Sequence, residues 1–137
     1  MTPKKLNHTL LFVYGTLKRG YANHALLSSG HFIGKAKTHE KYGFYLGPDT
    51  YDTKAPHIPY LFTNLKPGDC PVQVQGEVWE VDTPTLVQLD RLEGHPEWYR
   101  RIKAPIRLSS KEMVSAYTYF LSENPEARLR PIESGCF

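Results

Sequence analysis

Cysteine is scarce in this 137-residue chain, which holds only Cys70 and Cys136. Two such distant cysteines form neither a metal-binding spacing nor a disulfide framework, so each is expected as a free thiol in a reducing compartment. Long apolar runs are missing as well. The run at residues 10–14 is too short for the apolar core of a signal peptide, and no stretch approaches the ~20 residues of a membrane helix. A cytoplasmic protein without membrane association is the expectation. Nor does one sign of charge dominate. Lys and Arg number 17 against 14 Asp and Glu, a net charge of +3. The basic residues stand scattered, with short pairs only at Lys4-Lys5, Lys18-Arg19 and Arg100-Arg101. A nucleic-acid surface needs a basic stripe or a known module, so no nucleic-acid partner is expected. His8, His24, His31, His39, His57 and His95 show no zinc-binding spacing. There is no Gly-x-Ser-x-Gly elbow, and Cys136 has no evident activator as a nucleophile. No metal and no organic cofactor is expected.

The length suffices to bury a core without disulfide or metal support, and one domain over residues 1–137 is expected. Nine Tyr stand against six Phe and two Trp; the tyrosine excess suits a pocket wall or a barrel, because each ring carries a polar handle. Residues 1–9 are polar and read as a loose arm. Residues 10–14, a continuous apolar run ending at Gly15, read as a strand buried on both faces. Asn23 is expected to cap a short helix that Gly30 ends. Residues 32–36, 42–46 and 60–63 read as short strands and 49–59 as a proline-punctuated loop. Gly47-Pro48-Asp49 and Lys66-Pro67-Gly68-Asp69 read as turns. From Val72 to Val81 the residues alternate, but Val72, Val74 and Val78 are even-numbered whereas Trp79 and Val81 are odd. The apolar face is therefore expected to switch near Gly76 through a bulge or a barrel bend. Asp82-Thr83-Pro84 opens the strongest helix, with Leu86, Leu89 and Leu92 on one face and Gly94 as its stop. Residues 101–108 and 114–121 complete the strands, and 122–137 read as an irregular tail. Many short strands with two helices imply an α+β domain built as a curled sheet or small barrel.

Two constellations carry chemistry. In Tyr14-Gly15-Thr16-Leu17-Lys18-Arg19-Gly20 a strand runs into glycine, where backbone N–H groups can turn outward together and hold a carboxylate or an oxyanion. This is not a phosphate loop, because Tyr21-Ala22 stands where that chemistry needs Lys-Ser/Thr. The second constellation runs from Leu89-Asp90 through Glu93-Gly94-His95-Pro96 to Tyr99-Arg100-Arg101. Glu93 falls on the last turn of the expected helix, where a carboxylate opposes the helix dipole and stands one turn from the like charge of Asp90. Both effects are expected to raise its pKa. Stability alone would favour Lys or Arg there, so the position points to function.

Taken in order, these segments resemble the γ-glutamylcyclotransferase-like family. Tyr14 to Gly20 followed by Asn23-His24 is similar to its opening, Gln75 to Asp82 to its central strand, and Leu89 to Arg101 to its catalytic segment. The resemblance covers residues 10–120. Ile58-Pro59-Tyr60-Leu61 is similar to the branch of γ-glutamylamine cyclotransferases and AIG2-like proteins. What this implies is a small mixed β-barrel with flanking short helices and a small-molecule γ-glutamyl substrate, closed to 5-oxoproline with release of an amine. ε-(γ-Glutamyl)lysine is the leading candidate. By the same resemblance Glu93 is the catalytic acid/base, Tyr14, Gly15, Thr16 and Leu17 cradle the substrate, and Tyr99 lines the site.

Two other readings stay open from sequence. One is a cyclotransferase or acyltransferase on another γ-glutamyl substrate; the other is a non-catalytic AIG2-like binding module. An intact Glu93 argues against the second. The sequence sets no oligomeric state.

Overall fold

The structure is a computed structural model describing residues 8–21, 23–47, 58–125 and 130–137. The chain runs through β1 (His8–Val13), a 3₁₀ turn (His24–Leu27), β2 (His31–Thr38), β3 (Gly43–Gly47), β4 (Ile58–Phe62) and β5 (Gln75–Asp82). Then come α1 (Thr83–Glu93), β6 (Tyr99–Leu108), β7 (Met113–Leu121) and β8 (Arg130–Pro131). Five strands close into a barrel in the order β1-β5-β2-β6-β7, while β4-β3-β8 form a separate sheet. Barrel neighbours pair antiparallel, except that a parallel bridge at Leu11 and Tyr117 joins β1 to β7 and closes the ring. The fold is the mixed barrel with short helical elements that the α+β reading expects.

Period-two alternation sends side chains into two cores. Phe12, Val78, Ile106, Ala116 and Phe120 belong to one, with Phe44 and Leu61 of the second sheet. Leu11, Val13, Trp79, Val81, Tyr119 and Leu121 belong to the other, with Leu89 of α1, Leu27 of the 3₁₀ turn and Phe62 of β4. Leu11, Phe12 and Val13 are all buried, which is why β1 reads as an unbroken apolar run.

This arrangement explains the parity switch in β5 without a bulge at Gly76. Val74 and Val78 serve one core, Trp79 and Val81 the other. The register shift lies on β2, between Phe32 and Gly34. Gly76 is glycine for a different reason. A Cβ there would meet the Val13 carbonyl oxygen at 2.1 Å and Phe12 Cζ at 2.9 Å. The residue is small because β5 crosses close over the end of β1.

Other boundaries move. Residues 1–7 of the expected arm lie outside the described residues, and His8 and Thr9 already belong to β1. Of the expected loop at 49–59, Ile58 and Pro59 belong to β4 and the rest lies outside the described residues, as do Pro48 and Asp49 of the expected turn. Val72 makes an isolated bridge to Tyr42, and β5 proper starts at Gln75. The helix expected after Asn23 is a single 3₁₀ turn with no side-chain cap. The tail is not wholly irregular, since β8 pairs with β3.

α1 forms as its sequence dictates. The Asp82 carboxylate accepts from the Thr85 N–H at 2.9 Å, and proline stands in the first turn. Gly94 ends the helix in the left-handed region, at φ 66° and ψ 35°. Leu89 is fully buried, whereas Leu92 is 40% exposed and not part of the core. Replacing Gly76 by Ala is expected to destabilise the fold by about 2 kcal/mol or more through overpacking against the Val13 carbonyl. Urea unfolding measures this, and an unchanged midpoint would mean that β5 can move off β1.

Candidate active site

A cavity of about 400 Å³ opens where β1 ends, α1 ends, and β4 and β6 begin. Tyr14, Gly15, Thr16, Leu17, Glu93 and Tyr99 all line it, so the expected catalytic and substrate-binding residues come to one place, whereas Lys18, Asp90, Arg100 and Arg101 of the same motifs are not on the lining. Its walls are tied together at their edges. The Tyr99 hydroxyl donates to the Pro59 carbonyl at 2.9 Å, joining β6 to β4. The buried Tyr14 hydroxyl donates to the Tyr119 carbonyl, joining β1 to β7. Burial, reinforced by Tyr99, Glu93 and Tyr119 nearby, pushes the Tyr14 phenol well above its ordinary pKa and keeps it protonated.

The loop after β1 is held through its carbonyls. Gly15 O accepts from Lys18 N, Thr16 O from Asn23 N, and Lys18 O from Tyr21 N, at 2.9 to 3.1 Å. Leu17 O lies 3.0 Å from His24 Nδ1, which donates to it as the Nδ1–H tautomer. Among the described residues, the N–H groups of Gly15, Thr16 and Leu17 have no protein acceptor. Consecutive N–H groups left open beside a cavity form a concave donor surface suited to an anion or a developing oxyanion. Glycine is required at position 15 for a packing reason also: a Cβ there would come within 2.9 Å of Pro59 Cγ. A larger side chain would therefore disturb the Pro59 wall as well as the loop.

Glu93 ends α1, immediately before the Gly94 stop. Among the described residues nothing hydrogen-bonds to or pairs with its carboxylate. Burial raises its pKa from the ordinary 4.5 to about 7. The expected direction holds, but the cause is burial and not Asp90. That neighbour is engaged elsewhere. Arg101 binds it through two nitrogens at 2.8 and 3.0 Å, and the Tyr119 hydroxyl donates to it at 2.7 Å. Burial works against the charged form of Asp90 as well, but these bonds outweigh it and hold its pKa below the ordinary range.

Several residues at the site escaped the sequence reading. The Asn23 side-chain amide donates to Thr16 Oγ1 at 2.9 Å, so it braces the loop and does not cap a helix. A clue was available, because the third residue after Asn23 is Leu26, where a capping box wants Glu or Gln. Glu77 sits buried on β5 and accepts from Arg19 N, Arg19 Nε and Trp79 Nε1, each at 3.1 Å. Burial pushes its carboxyl up, yet those contacts prevail and leave its pKa lowered. Arg91, Leu92 and Trp98 also line the cavity. The scattered cations of the sequence are partly gathered by the fold: Lys35, Lys37, Arg107 and Lys111 line a second groove that shares no residue with the first.

Residues 11–137 match the family model described as Gamma-glutamyl cyclotransferase, AIG2-like. The match extends through the tail, which the sequence resemblance at 10–120 did not reach. A Methanocaldococcus jannaschii protein provisionally named gamma-glutamylcyclotransferase is 43% identical over 115 residues, 83% of this chain and 85% of that one. The gamma-glutamylaminecyclotransferase of Rattus norvegicus is 36% identical over 103 residues, 72% of this chain and 63% of that one. Among solved structures, an AIG2-like protein from Mus musculus superposes with a TM-score of 0.74 at 25% identity, over 96% of this chain and 88% of that one. With the barrel, the loop and the helix-end carboxylate in place, this chain belongs to the gamma-glutamyl cyclotransferase, AIG2-like family.

Proposed function

We propose that the chain cleaves γ-glutamyl amides by closing the glutamyl unit into 5-oxoproline, with Glu93 as the proton carrier. One observation carries the reading. A carboxyl with a pKa of about 7 shares a cavity with three consecutive backbone N–H groups that lack an acceptor among the described residues. A base is most useful when its pKa lies near the working pH, because it then accepts and returns a proton with little cost either way.

The Glu93 carboxylate takes a proton from the substrate's α-ammonium. The freed amine nitrogen attacks the γ-carbonyl carbon, and the carbonyl oxygen takes up the electron pair as a tetrahedral oxyanion. Glu93 then gives that proton to the leaving nitrogen, the oxyanion re-forms the carbonyl as the C–N bond to the leaving amine breaks, and the regenerated carboxylate takes the second proton from the ring nitrogen and hands it to the released amine, leaving a neutral lactam N–H and an ammonium. Five-membered closure is intramolecular, so holding the glutamyl unit in one rotamer supplies much of the rate. The open N–H groups of Gly15, Thr16 and Leu17 fix the α-carboxylate or the oxyanion, and Tyr14 and Tyr99 complete the walls.

Among γ-glutamyl amides, we favour γ-glutamylamines, with ε-(γ-glutamyl)lysine first. Glutathione carries a carboxylate beside its scissile amide and calls for a matched cation. Lys18 is engaged by the Phe137 carbonyl, Arg101 by Asp90, and Arg100 is not on the cavity lining. Arg91 does line the cavity but is exposed, where an ion pair contributes only ~0–1 kcal/mol. Ile58, Leu92 and Trp98 give apolar wall for a methylene chain, each buried CH₂ contributing about 0.8 kcal/mol.

The deciding experiment measures 5-oxoproline release from a panel of γ-glutamyl amides. ε-(γ-Glutamyl)lysine is expected to exceed glutathione in kcat/KM; equal or better use of glutathione would reject the amine preference. Glu93→Gln is expected to fold and to lose about 10²–10⁴ in kcat; retention of more than about a tenth of the rate would remove Glu93 from the proton path. In the wild type, kcat/KM is expected to fall as pH drops through about 7, where the base becomes protonated.

The same carboxyl links pH to stability. Its folded pKa of about 7 lies above the ordinary 4.5, so the folded chain binds the proton more tightly. That contribution is fully present below about 4.5 and is lost as pH rises through 7. Relative to Glu93→Gln, the wild type is expected to lose on the order of 3 kcal/mol between those limits. Urea unfolding of both proteins across that range checks the sign, and parallel curves would contradict it.

A further inference from the structure

Lys18 lies on the loop that lines the cavity, yet it is not itself on the lining, and it is only 7% exposed. A lysine is seldom buried to that degree unless its ammonium has partners. Here they come from the far end of the sequence. Nζ donates to the Phe137 carbonyl at 2.6 Å, stands over the Tyr21 ring at 4.8 Å, and lies 3.9 Å from Cys136 Sγ. The Tyr21 hydroxyl donates to the same carbonyl at 2.9 Å, and the Tyr21 and Phe137 rings pack 5.7 Å apart.

The segment that arrives there is anchored along its length. Pro131 pairs with Tyr45 of β3, and Ile132 N donates to Phe44 O at 2.8 Å. Gly135 follows at φ 77°, inserted so closely that a Cβ would meet the Gln73 carbonyl at 2.2 Å. Its own carbonyl accepts from Gln75 N at 2.7 Å, at the start of β5. Residues 130–137 thus run from β3, past β5, to the loop after β1. β3 pairs in turn with β4, whose Ile58 and Pro59 also line the cavity. The segment ties two walls of one cavity through elements that none of the catalytic chemistry needs.

We propose that residues 130–137 act as a strap that sets the shape of the substrate loop, with Lys18 as the positioning residue through which the strap acts. The strap holds the open N–H groups of Gly15, Thr16 and Leu17 in their binding arrangement before substrate arrives, and this function rests on the reading of that loop as the cradle. Glu93 is carried by α1 and is held independently, so loosening the strap weakens binding and leaves proton transfer intact.

The test compares Lys18→Met, Lys18→Arg, a chain lacking residues 134–137, and the Lys18→Met truncated double variant. Lys18→Met is expected to raise KM for the γ-glutamyl substrate about tenfold, the scale of one charge-assisted hydrogen bond. Its kcat is expected to stay within about threefold, and the apparent pKa near 7 to stay unchanged. Lys18→Arg recovers most of the loss. The truncation reproduces the KM effect and adds little to Lys18→Met, because both remove one clasp. Amide hydrogen exchange over residues 14–21 is expected to quicken in Lys18→Met with or without turnover. An unchanged KM, additive losses, a fall carried by kcat alone, or unaltered exchange overturns the strap. If the truncated chain does not fold, Lys18→Met and Lys18→Arg decide alone. If no γ-glutamyl amide yields 5-oxoproline, the functional reading fails, and the exchange measurement still judges the strap.

Discussion

The cavity depends on the Asp90–Arg101 ion pair, which sets apart two carboxylates near the end of α1. Arg101 binds Asp90 through two nitrogens, and the Tyr119 hydroxyl completes the set, leaving Glu93 without a partner among the described residues. An unpaired carboxylate in a desolvated position is costly as an anion, and the group responds by holding its proton up to about pH 7. The Asp90–Arg101 pair, with the Tyr119 hydroxyl, pins the helix end to β6 and β7.

The loop after β1 follows a similar logic with backbone groups. Its carbonyls accept from N–H groups of the same loop, Asn23 and His24, while three N–H groups have no acceptor among the described residues. Glu77 adds an anchor by accepting from both the backbone and the side chain of Arg19. Such a loop holds its donors in a fixed arrangement, as a preorganised donor set requires. The cost is a set of polar groups unsatisfied by protein, tolerable because they border an open cavity rather than a packed core.

The cations that look interchangeable along the chain are sorted by the fold into separate duties. Lys18 points away from the cavity into the tail, Arg101 braces a carboxylate, Arg91 reaches the cavity, and Lys35, Lys37, Arg107 and Lys111 meet around another groove. The assignments of Lys18 and Arg101 do not follow from charge or spacing, since each is fixed by a partner more than ten residues away.

Local physics was enough for part of this protein. The unbroken apolar run of β1, the capped and glycine-stopped helix, and the loop beginning at Gly15 are each written in neighbouring residues, so their type and approximate place were legible. The candidate site residues came from the family resemblance, which places Tyr14, Gly15, Thr16 and Leu17 in one motif and Glu93 and Tyr99 in another, and the fold brings both motifs to one cavity. What only the tertiary structure decided is whatever depends on distant partners. Gly76 is small because of the Val13 carbonyl, Leu92 faces the cavity and not the core, and Asn23 braces Thr16 where local rules suggested a cap. The raised pKa of Glu93 was anticipated in direction from the helix dipole and Asp90, but its cause is burial, and burial is a property of the closed barrel. Periodicity and capping are read within one turn or one strand; desolvation and charge division appear only when strands far apart in sequence meet.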